Sequence, residues 1–543
     1  MTFERNDTIE EAVIFARYGS VSFDKQMMKI VVRCPVGSYD WKYLMIGYAY
    51  KIDSDREDYL ISPDTIRRRG IYQELTCRID VRSFPFRTTH WRVRAVYEQD
   101  GKLYSAGVVM PTVNPSKSSF LFHPNCCVRD DGYILFPYRA RGGYLGLRFR
   151  QKTADDSFFV RLKECIALSR YEKHQEEYEG KKILLIYEKR CEKAQDNGYH
   201  FFCYCMENDM ERYLDRSIYY VIRKDSVDRK KLEKYKDHIV DFLSVRHMVY
   251  LQACRLLISS DSRAHAYRWQ YNQSLLSTAI AKKKHVFLGH GVLALKRLNQ
   301  SFMAKNMNSV MTTVTSEKER DLVIRELGFK PHSAVVTGYA RFDALEDRSE
   351  GFNEILIMPT HRSWLFGVQR NVFTESEYYR RYMDLINSPR LIRLLEEKDM
   401  TANFYLHPSI GEHIDAFSVS SDRVKIIPYG QYALDDLMMR CKLLVTDYSS
   451  VCWDVYYMGK PILFYQYDMQ DYLDTWGSYI DLEKDCPGKR AEEHEQLLDM
   501  IEESAENGFR LDEEWKQKRE NHYSYLDQRN SQRICDALKE RNY

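Results

Sequence analysis

The stretch VTDYSSVCWDVYYMGKPILFY, residues 445–465, decides the fold. An apolar run closes on Asp447, passes Ser449 and Ser450, climbs through a segment of helical length to Gly459, Lys460 and Pro461, and enters a second apolar run. Strand, turn, helix and strand in that order belong to a parallel α/β sheet. A serine pair at a helix start offers hydroxyls and free backbone N–H groups at the positive end of the helix dipole, which stabilises phosphate. The same serines also suit a helix cap, and the two roles are compatible.

The alternation extends in both directions. After residue 350 it reads EILIMPTH, NFYLHP, VKIIP, LLVTD and PILFY, and before that ILLIYEKR, YHFFCYCM, YYVIRK, RLLISS, HVFLGH and AVVTGYARF. Two such series predict two Rossmann-like lobes facing a cleft, hinged near residues 343–352, where the chain is charged and weakly periodic. From about residue 490 the pattern predicts helices packed on the lobes.

Residues 20–150 differ. Short alternating runs such as MKIVVRC, ELTCRIDVRSF and GYILFPYRARGGYLGLRFRQK are separated by Asp100-Gly101, Asp131-Gly132 and Gly142-Gly143, predicting an antiparallel β-sandwich. The expected domains are 1–155 (β-rich), 156–347 (first α/β lobe) and 348–543 (second lobe with the C-terminal helices). No internal repeat or low-complexity tract interrupts them.

At 543 residues and 44% hydrophobic content, the chain divides into two to three domains of roughly 150 to 200 residues. Lys plus Arg number 81 against 79 Asp plus Glu, a formal charge of +2, so no whole-molecule field gathers nucleic acid. The thirteen cysteines lack the paired spacing of a zinc site and read as reduced thiols. The N-terminus does not read as a signal peptide, and no apolar stretch is long enough to predict a membrane span. A soluble chain, or one held at a membrane surface, is expected.

In open parallel sheets ligands gather beyond the carboxyl ends of the strands. There the chain places His290 between Gly289 and Gly291 with Lys296 following, then Thr360, His361 and Arg362, then His407, and then Asp447, Ser449 and Ser450. Each has a plain structural reading: turn or core histidines, a surface ion pair, a cap. Their joint placement at four strand ends favours a site. Neither a G-x-x-x-x-G-K-[ST] loop nor a G-x-G-x-x-G fingerprint is present. The D-x-D at Asp53-Ser54-Asp55 falls in the β-rich region, away from the cleft. Histidines, cations and helix termini suit transfer of a phosphorylated group, with a histidine accepting a hydroxyl proton and cations stabilising a diphosphate leaving group.

From HGVLALK through TGYARFD, MPTHR and LHP to VTDYSSVCWDVYYMGKPILFYQYDMQDY, roughly residues 180–480, the sequence resembles the CDP-glycerol glycerophosphotransferase family, the teichoic acid polymerases and primases of bacterial cell envelopes. The resemblance implies a GT-B fold, the acceptor lobe before the hinge and the nucleotide lobe after it. It implies transfer of glycerol phosphate or ribitol phosphate from a CDP carrier to the terminal hydroxyl of a lipid-linked teichoic-acid or capsule-like polymer, releasing CMP, by a cytoplasmic protein peripheral on the inner face of the cell membrane. The CDP-linked polyol is the donor substrate, and no cofactor or metal is implied.

Carried over by position, His290 is the candidate base. His407 and Arg362 meet the diphosphate, with the two histidines open to exchange of roles. Ser449, Ser450 and Thr360 bind donor phosphate, Asp454 and Asp468 shape the donor pocket or hold the polyol hydroxyls, and Gly291 and Lys296 lie on the acceptor or phosphate side. Two departures stand out: HGVLALK replaces the H-G-T-P-L-K of many members, and Ala340 replaces a proline before Arg341. Residues 224–243 carry a basic face beside apolar residues that suits anionic lipid or polymer phosphates. A UDP-sugar glycosyltransferase or epimerase and a catalytically silent assembly protein remain as alternatives.

Overall fold

A computed structural model describes residues 4–5, 9–48, 58–112, 115–268, 274–298 and 302–543. The Asp53-Ser54-Asp55 motif lies outside them. The chain forms two compact units, one of residues 1–175, 243–252 and 267–282, the other of residues 176–242, 253–266 and 283–543.

In the first unit the described strands are β1 (Glu4–Arg5), β2 (Glu10–Asp24), β3 (Met27–Pro35), β4 (Asp40–Tyr48), β5 (Asp58–Ile61), β6 (Thr65–Arg69), β7 (Tyr72–Asp80), β8 (Thr89–Gln99), β9 (Lys102–Val109), β10 (Cys127–Val128), β11 (Tyr133–Arg139) and β12 (Leu145–Gln151). Strict alternation, as in MMKIVVRCP, buries every second side chain, the signature of a strand with one covered face.

The expected sandwich is corrected in two respects. The strands form a single hydrogen-bonded sheet, ordered β1-β5-β4-β8-β9-β2-β3-β7-β6, with β12 branching from β8 and one parallel pair, β2 with β9. Met28, Ile30 and Leu75 near one end share a core with Trp41, Trp91 and Leu147 from the other, so the sheet closes over its own apolar face. The unit is not all β. It includes the helix Phe158–Lys173 and the segment 274–282. The buried Glu164 of that helix accepts hydrogen bonds from Tyr267 (2.6 Å) and Ser274 (2.7 Å).

The second unit holds two parallel sheets. The first contains β13 (Ile183–Tyr187), β14 (Ser217–Ile222), β15 (Ile239–Asp241), β16 (Leu256–Ser259), β17 (Lys284–Phe287), β18 (Ser309–Val314) and β19 (Ala334–Val336), in the order β15-β14-β13-β16-β17-β18-β19. The second contains β20 (Glu354–Met358), β21 (Thr401–Tyr405), β22 (Val424–Ile427), β23 (Cys441–Thr446), β24 (Ile462–Tyr465) and β25 (Lys489–Ala491), in the order β22-β21-β20-β23-β24-β25. Both orders reverse beside their first strand, between β13 and β16 and between β20 and β23. Such switch points open the crevices in which doubly wound sheets bind ligands.

Three expectations change. YHFFCYCM is not a strand but lies within the helix Asn197–Glu207, which buries Phe201, Phe202 and Cys205 on one face; a short apolar run carries too little period to tell helix from strand. The last helix, Asn530–Glu540, follows the second lobe in sequence but places Ile534, Cys535, Ala537 and Leu538 in the core of the first sheet. It is capped by Asp343, which accepts the N–H groups of Asn530 and Ser531 at 2.8 and 2.7 Å. Finally, residues 227–238 form 3₁₀ turns, and three of their cations are paired: Arg229 with Asp241, Lys231 with Asp228, and Lys234 with Glu207. The basic face expected there is thus carried on 3₁₀ turns. Among the described residues no helix is long and apolar enough to cross a membrane.

Candidate functional site

At the switch point of the second sheet, β20 delivers Thr360, His361 and Arg362, and β23 delivers Asp447, Ser449 and Ser450. Arg362 turns inward there. Its side chain is buried and forms a bidentate pair with Asp468 (2.6 and 3.0 Å), while Nη1 donates to Asp447 Oδ2 (2.9 Å) and to the Thr360 carbonyl (2.7 Å). Asp447 also accepts the Thr360 and Tyr448 N–H groups. A buried guanidinium so engaged ties the two strand ends together. The same contacts give Asp468 a structural partner.

The serines stand clear of this knot. Ser449 is half-buried and Ser450 exposed. Ser450 starts the helix Val451–Tyr457 without a capping bond from its side chain, so capping does not consume its hydroxyl. Across the cleft Gly291 approaches closely; a Cβ there would lie 3.0 Å from Ser450 Oγ. The turn after β17 thus meets the turn after β23.

Gly289 is required in that turn. Its φ is +73°, and a Cβ would fall 2.4 Å from the Tyr339 ring. The Tyr339 hydroxyl lies 3.0 Å from the Gly291 carbonyl and 2.8 Å from Glu319. Asn197 donates to the Leu288 and Gly289 carbonyls at 3.1 and 3.0 Å. On this frame His290 stands 66% exposed, with Nδ1 2.8 Å from Asp196 Oδ2. The hydrogen bond and charge of Asp196 raise the imidazole pKa, while the same contact, with Arg341, holds Asp196 below the ordinary carboxylate range against the cost of its burial.

Arg341 joins the lobes. Its Nη1 lies 3.2 Å from Asp196, and Nε and Nη2 grip Asp454 at 2.6 and 2.9 Å. Asp454, expected in the donor pocket, is 2% exposed and serves as the far anchor of that bridge. The Lys460 of the GKP triplet is likewise structural. Its ammonium donates to the carbonyls of Met438, Met439 and Cys441 and pairs with Asp347 of the hinge region.

A cluster of basic side chains forms beside the serine turn. His361 and His407 have ring centroids 4.4 Å apart. Burial, then His361, Lys189 and Lys296, push His407 down to about 4; burial, Lys296 and Arg362 lower His361. Among the described residues His361 Nδ1 and Thr360 Oγ1 are buried without a hydrogen-bond partner. Lys296 comes from the first lobe and sits over Trp476, 3.1 Å from the ring centroid, its pKa lowered by burial to about 8. It is held there because Tyr472 donates to the Leu295 carbonyl (3.0 Å) and the Tyr479 N–H to that of Ala294 (2.9 Å).

The structure therefore brings His290, Gly291, Ser449 and Ser450 to one meeting point, groups Lys296, His361 and His407 at a second, keeps Thr360 beside it, and pairs Arg362 with Asp468 and Arg341 with Asp454. Sequence reading missed Asp196 and Arg341. Asp196 had a signal: it follows β13 at the N-terminus of a helix, the same kind of strand-end position that drew attention to the others.

The profile of a family described as CDP-glycerol:poly(glycerophosphate) glycerophosphotransferase matches residues 170–540. The minor teichoic acid biosynthesis protein GgaB of Bacillus subtilis (strain 168) is 28% identical over 373 residues, covering 66% of this chain and 40% of its own length. The teichoic acid ribitol-phosphate polymerase TarL of Staphylococcus aureus (strain NCTC 8325 / PS 47) is 25% identical over 253 residues, 41% of this chain and 40% of its own. The chain thus spans well under half the length of these two curated relatives. Among solved structures, that of the wall teichoic acid polymerase TagF aligns over 72% of this chain and 99% of its own, at 15% identity and a TM-score of 0.48.

Proposed function

The chain belongs to the CDP-glycerol:poly(glycerophosphate) glycerophosphotransferase family, and from that premise we propose that it transfers a polyol phosphate from a CDP carrier to the terminal hydroxyl of a lipid-linked polymer at the membrane surface, releasing CMP. One observation carries the reading: an exposed histidine, oriented by a partly buried carboxylate, stands on a turn that touches the serine turn at the opposite sheet's switch point.

In this reading Asp196 fixes the His290 tautomer with the proton on Nδ1, leaving Nε2 to take the proton of the acceptor hydroxyl. The acceptor oxygen bonds to the phosphorus that bears the polyol, and the bond from that phosphorus to the CMP oxygen breaks. Ser449 and Ser450 donate to the phosphate oxygens. His361, His407 and Lys296 offset the charge that develops on CMP. The 156–347 lobe supplies the base and the 348–543 lobe holds the nucleotide, a GT-B arrangement. Arg341 positions Asp196 relative to the nucleotide lobe through Asp454.

The neutral imidazole is the working base, so activity rises with pH through the His290 pKa, which Asp196 raises. Asp196→Asn removes the charge that favours imidazolium. The acid limb of kcat/KM then moves to lower pH while the plateau falls; a limb that stays in place contradicts this role.

Donor binding has its own pH signature. His407 and His361 are neutral near pH 7 because both pKa values are lowered. A diphosphate against them raises those values, so affinity for CDP grows as pH falls toward 5, with proton uptake that calorimetry in buffers of different ionisation enthalpy reads directly. CDP should bind more tightly than UDP, and His407→Ala should abolish most of the uptake. Equal CDP and UDP affinity, or binding without uptake, counts against the reading and brings back the UDP-sugar alternative.

A further inference from the structure

The strand-rich unit encloses a cavity of about 700 Å³, within the range of small-molecule sites. Its walls come from the end of β11, the helix Lys117–Phe122 and the segment 274–282. Among its described lining residues there is no aspartate or glutamate, whereas Arg139 and Lys282 supply cations and Ser277 and Thr278 hydroxyls. In a chain with almost equal acidic and basic content, a cavity lined by cations alone among its charged residues selects for an anion.

The walls are preorganised. Arg139 donates through Nε to the Met110 carbonyl at 2.9 Å. Its guanidinium lies against Gly143, whose φ is +85° and where a Cβ would come 2.8 Å from Nη2. The Tyr138 ring lies over Gly146, where a Cβ would fall 2.7 Å from it, and its hydroxyl is 2.6 Å from Nδ1 of His90. The wall that carries Lys282 is fastened through Ser274 Oγ and the Leu276 N–H, both bonded to buried Glu164. In sequence that wall runs directly into β17, the strand that leads to His290.

We propose that this cavity is a second binding site for the acceptor chain, a hydroxyl-rich polymer with phosphodiester links. Arg139 and Lys282 meet its phosphates, Ser277 and Thr278 its hydroxyls, and Tyr18 and Tyr138 pack on its carbon-bearing faces. The identity of the chain rests on the transfer reading above; the anion selectivity does not.

The test is equilibrium binding of a fluorescent glycerol phosphate oligomer to the whole chain, in wild type, in the double variant Arg139→Ala/Lys282→Ala and in His407→Ala. Both substituted cations are exposed, so the double variant should keep the wild-type melting temperature. It should bind the oligomer at least tenfold more weakly and show a higher KM for oligomer acceptor, with kcat and the KM for the CDP donor unchanged. His407→Ala should keep oligomer affinity. Wild-type affinity in the double variant, or equal competition by an uncharged glycerol oligomer, overturns the proposal. If oligomer binding depends on Arg139 and Lys282 while no CDP donor yields CMP, the anion site stands and the transfer reading fails.

Discussion

His290→Asn lowers the transfer rate by a factor of about 10² to 10⁴, the usual contribution of a positioned general base, while the melting temperature and the affinity for CDP stay at wild-type values. The separation follows from the geometry. His290 is 66% exposed and bonded through Nδ1 to Asp196, so its removal uncovers little apolar surface, and the basic side chains assigned to the nucleotide's charge sit at the other meeting point. Asp196→Asn has a smaller effect on the plateau, because the imidazole survives and loses only its orienting charge. A His290→Asn protein that turns over at the wild-type rate removes the base from the account; one that fails to fold makes His290 structural.

Arg362→Met destabilises the chain by about 3–5 kcal/mol, the range for removing one partner of a buried ion pair. The methionine fills part of the space but leaves two buried carboxylates, Asp447 and Asp468, facing each other without their shared cation. Urea denaturation reads the loss. Asp447→Asn and Asp468→Asn in the same chain should recover part of it, since neutral amides remove the uncompensated charge. A ligand for the diphosphate would behave differently: stability would hold and the donor KM would rise. That outcome would reinstate Arg362 at the donor and contradict the assignment made here.

These two residues show where sequence is informative and where it stops. The parallel strands are legible because burial on both faces writes them as continuous apolar runs, and the antiparallel strands because one covered face writes an alternation. Strand ends could then be searched for chemistry, and the search found His290, His407 and the serine pair. It also found Arg362, but a guanidinium at a strand end looks the same whether it faces solvent or two carboxylates. Its partners stand 85 and 106 residues away, and only the tertiary fold makes them neighbours. The partner of Asp454 is hidden for the same reason, Arg341 lying 113 residues earlier. YHFFCYCM failed differently, because eight largely apolar residues fit either period, and the packing of Phe201 and Phe202 against the first sheet decided for helix. The path of the last helix back to the first lobe has no local signal at all; Asp343 caps it from 187 residues away.

The central claim is that His290, with Asp196 behind it, drives transfer of a polyol phosphate out of a CDP donor bound at the serine turn. The most direct measurement is CMP released from CDP-glycerol and from CDP-ribitol in the presence of a polyol-phosphate lipid acceptor, with UDP-sugars as controls, in wild type and His290→Asn. The account predicts acceptor-dependent CMP release from one of the CDP donors, growth of the acceptor in step with it, and loss of both in the variant. Silence with both CDP donors alongside UDP release, or CMP release that persists in His290→Asn, contradicts it.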